Sequence, residues 1–255
     1  MNEIKELRWR GGKVFDLGDG RREYRCYSKP KHVKVKGQWL EPVEAQALGI
    51  MLAAADTYLG EAADGYIYGA DNTAYANARN TSDGGGVTGT ADYVGQQKDG
   101  ATFTCYRGFL SFDTSGVDDY LDVESATLNV CADADRSTQD FLVQVYRYAW
   151  TEGLVDAGNR EANYDGAYGG SATLEGTLRN TASGWASGTY YSLAVDKAGI
   201  NKTGDTKYAL VSKEDVDNSE PTGNEWVQYR TADYAGTGSD PYLSVVMASG
   251  DLVIL

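Results

Sequence analysis

The chain has 255 residues, 23 Lys+Arg against 37 Asp+Glu for a net charge of −14, and 31 Gly, 19 Tyr, 4 Pro and 1 His. That charge excludes nucleic acid as a partner for most of the chain, because phosphate binding takes clustered Lys and Arg. The lone His32 sits among lysines, and the absence of a Gly-x-Ser-x-Gly elbow argues against a nucleophile–histidine centre, so the sequence reads as a non-enzyme.

The first 45 residues carry 11 Lys+Arg against 7 Asp+Glu, a balance of +4, whereas the remaining 210 carry 12 against 30. A basic arm on an acidic body suits docking on an acidic neighbour, including another copy of the chain. In the arm, Val14-Phe15-Asp16-Leu17 runs into Gly18-Asp19-Gly20 and then Tyr24-Arg25-Cys26-Tyr27, a hairpin signal. A second short strand alternates at Val33 and Val35, ahead of Gly37 and Trp39. With so few apolar residues the arm needs a surface to lie on. Its anchoring residues are expected to be Arg8, Arg10, Phe15, Arg21, Arg22 and Trp39.

Glu41-Pro42-Val43 followed by good helix formers up to Gly49 predicts a short connecting helix. The apolar run Leu48–Leu52 before Ala53-Ala54-Ala55 lies too deep for a leader and is too short to span a bilayer, so neither a signal peptide nor membrane insertion is expected. The reading is an arm over residues 1–54 and a single β body over 55–255.

In the body, Gly, Asp and Asn separate short strands expected near 65–68, 92–97, 104–112, 123–131, 140–148, 172–177, 190–195, 207–213, 225–229 and 241–247. Ten strands at that spacing imply an all-β jelly roll or β-sandwich. The alternation is cleanest at Ala126, Leu128 and Val130, at Phe141, Val143 and Val145, and at Tyr191, Leu193 and Val195, which should face the space between two sheets. Asp83-Gly84-Gly85-Gly86 and the Gly-Ala-Tyr-Gly-Gly run at 166–170 read as exposed loop tips. Cys26, Cys105 and Cys131 have no metal-like spacing. Reduced buried thiols, which suit assembly in a cytoplasm, and a Cys105–Cys131 bridge between neighbouring strands both fit.

Two groups of side chains suggest ligands. Tyr66, Tyr68, Tyr75, Trp150, Tyr164, Tyr168 and Trp185 fall in loops or at strand ends, where flat rings beside Asp and Asn would hold sugars. Carboxylates cluster at Asp133 with Asp135, at Asp118, Asp119 and Asp122, and at Asp215, Asp217 and Asn218; the last is the preferred calcium set, with ordinary turn chemistry the competing reading. The apolar tail Leu252-Val253-Ile254-Leu255 invites strand addition and joins the assembly residues.

The pair of segments Tyr106-Arg107-Gly108-Phe109-Leu110-Ser111-Phe112-Asp113 and Ser125-Ala126-Thr127-Leu128-Asn129-Val130 resembles the centre of the DNRLRE domain family. These are jelly-roll modules similar to carbohydrate-binding modules, found in secreted enzymes, surface proteins and phage virions. Ala55-Asp56-Thr57-Tyr58-Leu59 is similar to the family's opening strand, and the stretch from Asp217 through Tyr229-Arg230-Thr231 to Tyr242-Leu243-Ser244-Val245 is similar to its final pair. Trp150-Thr151-Glu152 resembles its Trp-x-Glu turn, although Asn163-Tyr164-Asp165 stands where a Thr-Trp is usual. The resemblance implies a binding or structural module: a virion component of a tailed phage, head-decoration or tail-associated, partnered by its own copies, by other virion proteins and by glycans. The alternative is a carbohydrate-binding module at a cell surface or secreted. Jelly rolls of this kind also imply a structural calcium.

Overall fold

A computed structural model describes residues 4–6, 13–16, 22–25, 33–35, 38–40, 56–86, 89–117 and 122–247, the first five stretches by backbone alone. Those five are strands β1 (Ile4–Glu6), β2 (Lys13–Asp16), β3 (Arg22–Arg25), β4 (Val33–Val35) and β5 (Gln38–Leu40). β2 and β3 pair as the expected hairpin, with Asp16 opposite Arg22. β1, β4 and β5 make a separate antiparallel sheet, and among the described residues no arm strand joins the body's sheet. The connecting helix expected after Glu41 lies outside the described residues, as do Cys26, Arg8, Arg10, Arg21 and Leu252–Leu255.

The body is all-β, as the alternation predicts. Its strands are β6 (Asp56–Leu59), β7 (Gly65–Asp71), β8 (Gly84–Gly86), β9 (Ala91–Asp99), β10 (Thr102–Asp113) and β11 (Val123–Asp135). They continue with β12 (Leu142–Arg147), β13 (Thr173–Asn180), β14 (Tyr190–Val195), β15 (Asp205–Ser212), β16 (Asn224–Arg230) and β17 (Tyr242–Met247). All pairings are antiparallel, in the order β13-β12-β15-β10-β9-β16-β11-β17-β6, with β14 on β11, β7 on β10 and β8 on β7.

One long strand turns this sheet into two layers. β11 pairs with β17 over Val123–Asn129 and with β14 over Ala126–Cys131, then continues into a ladder with β16 from Ala132 to Asp135. Between the layers lie Leu110, Phe112, Leu128, Val130, Phe141, Val143, Val145, Tyr208, Leu210, Val227, Leu243 and Val245, all at most 2% exposed. Tyr191 and Leu193 pack at its margin, so the three sequences with the cleanest alternation all face it.

A second core covers the other face of the larger layer, built from Ile67, Phe103, Cys105, Phe109, Ala209 and Val211. Three helices help to close it: α1 (Tyr75–Asn80), α2 (Ala157–Gly166) and α3 (Lys213–Val216). The 166–170 run, expected as an exposed tip, is a turn that follows α2 but is largely not exposed: Ala167 is fully buried and Tyr168 half-buried. The Asp83–Gly86 cluster is likewise corrected, because Gly84–Gly86 is a half-buried strand laddered to Tyr66–Tyr68. Cys105 and Cys131 are free, buried thiols.

Candidate functional site

Pairing register, not sequence proximity, builds an aromatic face across β16, β9, β10, β7 and β8. Directly opposed residues share a face, and the register sets Trp226 opposite Gly95, Gly95 opposite Tyr106, Tyr106 opposite Tyr68 and Tyr68 opposite Gly84. The neighbouring row places Gln228 opposite Tyr93, and Gly108 opposite Tyr66, which faces Gly86.

Five rings meet there, all half-buried. Tyr66 meets Tyr93 edge-on at 4.6 Å between centroids. Tyr93 lies 5.5 Å from Tyr106 and from Trp226, Tyr106 lies 5.8 Å from Trp226, and Tyr68 completes the patch at 6.4 Å from both Tyr66 and Tyr106. These spacings fall in the range of favourable offset and edge-on ring contacts.

Glycine makes room for the rings. A Cβ at Gly84 would lie 2.8 Å from the Tyr68 ring and one at Gly86 2.8 Å from Tyr66 Cε1, so side chains at either position would displace a platform ring. Gly95 has φ +126°, a conformation other residues rarely adopt, and a Cβ on it would meet Trp226 Cα at 2.6 Å. The indole can therefore approach Tyr106 across the glycine.

Polar groups lie among the rings. Gln97 Nε2 donates to Tyr106 Oη at 3.1 Å, and Asn224 lies opposite Gln97 on the same face. Burial pushes the Tyr106 phenol up to about 12 and raises that of Tyr66, with the neighbouring Tyr93 adding to the latter. Both hydroxyls thus stay protonated at neutral pH and remain able to donate. Flat apolar rings bordered by amides and phenols suit the alternating C–H faces and hydroxyl edges of a pyranose.

Of the seven rings expected to hold sugars, Tyr66 and Tyr68 belong to this face. Four are corrected to core residues: Tyr75, Trp150, Tyr164 and Trp185 are at most 5% exposed. Tyr75 Oη donates to Gln96 Oε1 at 2.5 Å, Trp150 Nε1 to the Leu110 carbonyl at 3.3 Å, Tyr164 Oη to the Ala78 carbonyl at 2.8 Å, and Trp185 Nε1 to the Gln228 carbonyl at 2.7 Å. Each polar tip finds an internal acceptor, which is what permits its burial. Tyr168, half-buried, lies against the Arg107 guanidinium at 4.7 Å. Tyr93, Tyr106 and Trp226 were not singled out by the sequence; the available signal was the aromatic placed at every second position of Tyr66–Tyr68, and at single outward positions of β9, β10 and β16.

The expected calcium set is not gathered around a cation. Arg107, 1% exposed, donates to both carboxylate oxygens of Asp215, from Nε at 2.8 Å and Nη2 at 3.1 Å. Arg79 Nε lies 3.2 Å from the same carboxylate. Asp217 pairs with Lys213 on the surface, and Asn218 is a positive-φ turn residue. With its oxygens held by two guanidinium groups, Asp215 is an ion-pair anchor in place of a metal ligand. Asp133 pairs with Arg230 at 3.3 Å and Asp135 accepts from the Ser137 backbone at 2.9 Å, while Asp118 and Asp119 lie outside the described residues. Among the described residues, no three His, Cys, Asp or Glu side chains form a ready metal cage. Of the assembly residues, Phe15, Arg22 and Trp39 lie on β2, β3 and β5.

The sequence matches no family model and no curated protein.

Proposed function

We propose that the chain is a non-enzymatic structural protein of a tailed-phage virion, head-decoration or tail-associated, anchored by its arm and displaying a jelly roll that binds glycans. The observation that carries the binding half is the five-ring aromatic face of Tyr66, Tyr68, Tyr93, Tyr106 and Trp226. The resemblance of the Tyr106–Val130 region to DNRLRE modules supports the same reading. Buried arginine and carboxylate pairs such as Arg107–Asp215 are committed to each other, which fits a scaffold better than a catalyst.

Self-association has a supporting surface. On the outer side of the β14-β11-β17-β6 layer, Ser192, Thr127, Tyr242, Ser244 and Thr57 lie at positions alternate to the core and carry no charge. A second acidic body laid against these residues would meet no like charge from them.

Affinity electrophoresis through gels carrying bacterial surface polysaccharides tests the glycan reading. The wild-type protein is expected to be retarded on at least one of them, and Trp226→Ala and Tyr93→Ala are expected to migrate freely while keeping the wild-type Tm. Equal retardation of the variants would remove the aromatic face from the reading. A carbohydrate-binding module of a cell-surface or secreted protein is the alternative; it predicts the same retardation but a monomer in solution.

A further inference from the structure

Two buried carboxyl groups lie next in the chain to the edge-on ring pair of the aromatic face. Asp92 immediately precedes Tyr93 and points to the other side of β9, and Asp64 stands just ahead of Gly65-Tyr66 at the start of β7. Asp92 is 0% exposed, and among the described residues neither of its carboxyl oxygens has a hydrogen-bond partner. Asp64, 3% exposed, accepts from the Ser111 backbone through Oδ1 at 2.7 Å and leaves Oδ2 without a partner. Tyr229, opposite Asp92 in the β9–β16 ladder, donates through Oη to the Gly65 carbonyl at 3.3 Å and so joins the two sites.

The groups around them are acids and phenols. Glu61, in the same loop as Asp64, acts on it while bonded to Ser111 Oγ at 2.6 Å. Asp233, in the β16–β17 loop, acts on Asp92 and on the buried Asp240. Tyr229 of β16 and Tyr66 of β7 both feel the charge of Asp92. Arg230, also on β16, is committed to Asp133 at 3.3 Å and to Ser239 Oγ at 2.8 Å. A buried carboxylate without a counter-charge is among the costliest groups a fold can carry, and the neutral acid costs far less. Burial is the first cause that lifts Asp64 well above the usual carboxylate range; the Ser111 bond opposes it, and the charges of Asp92 and Glu61 reinforce it. Asp92 is lifted likewise, by burial and then by Asp233.

We propose that Asp92 and Asp64 form a pH-dependent latch behind the aromatic face. While both acids are neutral, the starts of β7 and β9 stay packed and Tyr66 meets Tyr93 edge-on at 4.6 Å. Ionisation of either acid draws water to its unpartnered oxygens, loosens both strand starts and spreads the rings. The consequence for glycan binding rests on the reading given above; the latch itself does not. The direction follows from proton linkage. Both groups hold their protons more tightly in the folded chain than at the ordinary value of 3.8, so the folded state binds more protons above that pH. Stability therefore falls as pH rises beyond 3.8, and the loss is complete once both acids have ionised.

The test compares the full wild-type chain with Asp92→Asn, an uncharged mimic of the neutral acid, by thermal unfolding and near-ultraviolet circular dichroism at about pH 5 and about pH 8. The wild-type Tm is expected to fall by about 5 °C over that interval, with loss of aromatic circular dichroism. Asp92→Asn is expected to fall by less than about half as much and to exceed the wild-type Tm at the upper pH. Asp64→Asn, whose carbonyl oxygen still accepts from Ser111, gives the same comparison should Asp92→Asn fail to fold. A wild-type Tm equal at both pH values, or a fall of equal size in the variant, would overturn the latch. Gel retardation then reads the consequence: wild-type affinity is expected to drop at least about threefold at the upper pH and that of Asp92→Asn to hold. Equal wild-type retardation at both pH values would overturn the coupling to the rings. Absence of retardation at either pH would remove the glycan reading instead, with the latch decided by Tm and circular dichroism.

Discussion

Arg107 ties three helices to β10 with one side chain. Besides Asp215 on α3, its guanidinium donates to the Tyr164 carbonyl of α2 at 2.6 Å and to the Arg79 carbonyl of α1 at 2.8 Å, and it lies 3.7 Å from the centre of the Tyr164 ring. Burial is the strongest single influence and opposes its charge, but the Asp215 carboxylate, by charge and hydrogen bond, together with Tyr164 and Tyr168 outweighs it and holds the group protonated. Removing one partner leaves the other charge buried. Arg107→Met is therefore expected to cost about 3 kcal/mol, the lower end for such pairs because Arg79 still faces Asp215. In urea unfolding, Arg107→Met combined with Asp215→Leu should lose clearly less than the sum of the single changes; strict additivity would show that the pair does not act as a unit. A surface carboxylate, Asp71, shows the effect of local hydrogen bonds alone. Asp71 accepts from the Thr73 hydroxyl at 2.6 Å and from the Thr73 and Ala74 backbones at 2.7 Å, and these bonds, that hydroxyl foremost, hold its pKa down to about 2 from 3.8. A depressed folded value contributes stability above the unfolded one, so this contribution is full above 3.8 and fades as pH falls to about 2. Carboxyl NMR titration of Asp71, with α1 amide exchange rising over the same interval, checks it.

Strand β8 shows how an element can serve its neighbour by having no side chains. Val placed at both Gly84 and Gly86 would drive Cβ atoms into Tyr68 and Tyr66, so the double variant is expected to lose about tenfold in polysaccharide affinity while keeping the β-sheet circular dichroism of the wild type. Unchanged gel retardation would dissociate β8 from the binding face. The same element marks where the sequence stops being legible. Alternation located the strands that bury one side, as at Ala126, Leu128 and Val130, because a half-buried strand writes its period into its residues. Three glycines write no period, and glycine is poor in strands, so β8 looks like a loop until Tyr66 and Tyr68 are seen beside it. The aromatic face was half visible for a related reason. Tyr66 and Tyr68 are close in sequence, whereas the opposition of Trp226 to Gly95 and of Tyr106 to Tyr68 is a matter of register between distant strands. The Tyr and Trp residues misread as platforms failed on depth: a ring near a strand end looks the same in sequence whether its polar tip meets water or a buried carbonyl. α2 was hidden because most of its residues are polar or small, and it is held by Tyr164 and Asn163, whose amide bonds Thr151 on both sides, at 2.7 Å and 2.9 Å.

At the scale of the molecule, charge and connectivity divide the chain at the same place. The first 45 residues carry a balance of +4 on an otherwise acidic protein, and among the described residues β1 to β5 pair only with one another. The body has its own two cores, so its stability should not depend on the arm. Deleting residues 1–43 is accordingly expected to shift the body's Tm by less than about 2 °C, an effect of under about 1 kcal/mol for a domain of this size. Association should respond differently. A basic segment that docks on the acidic body of another copy is drawn by charge acting over a Debye length, so sedimentation velocity of the full chain should show multimers at about 50 mM salt that dissociate toward monomer at about 500 mM. The truncated chain should be monomeric at both. Were the multimers to survive deletion and salt alike, the uncharged outer face of the β14-β11-β17-β6 layer would be the contact, since apolar and neutral polar burial is little screened by ions. Ser244→Arg, which sets a charge in the middle of that face, would then be the variant that breaks them.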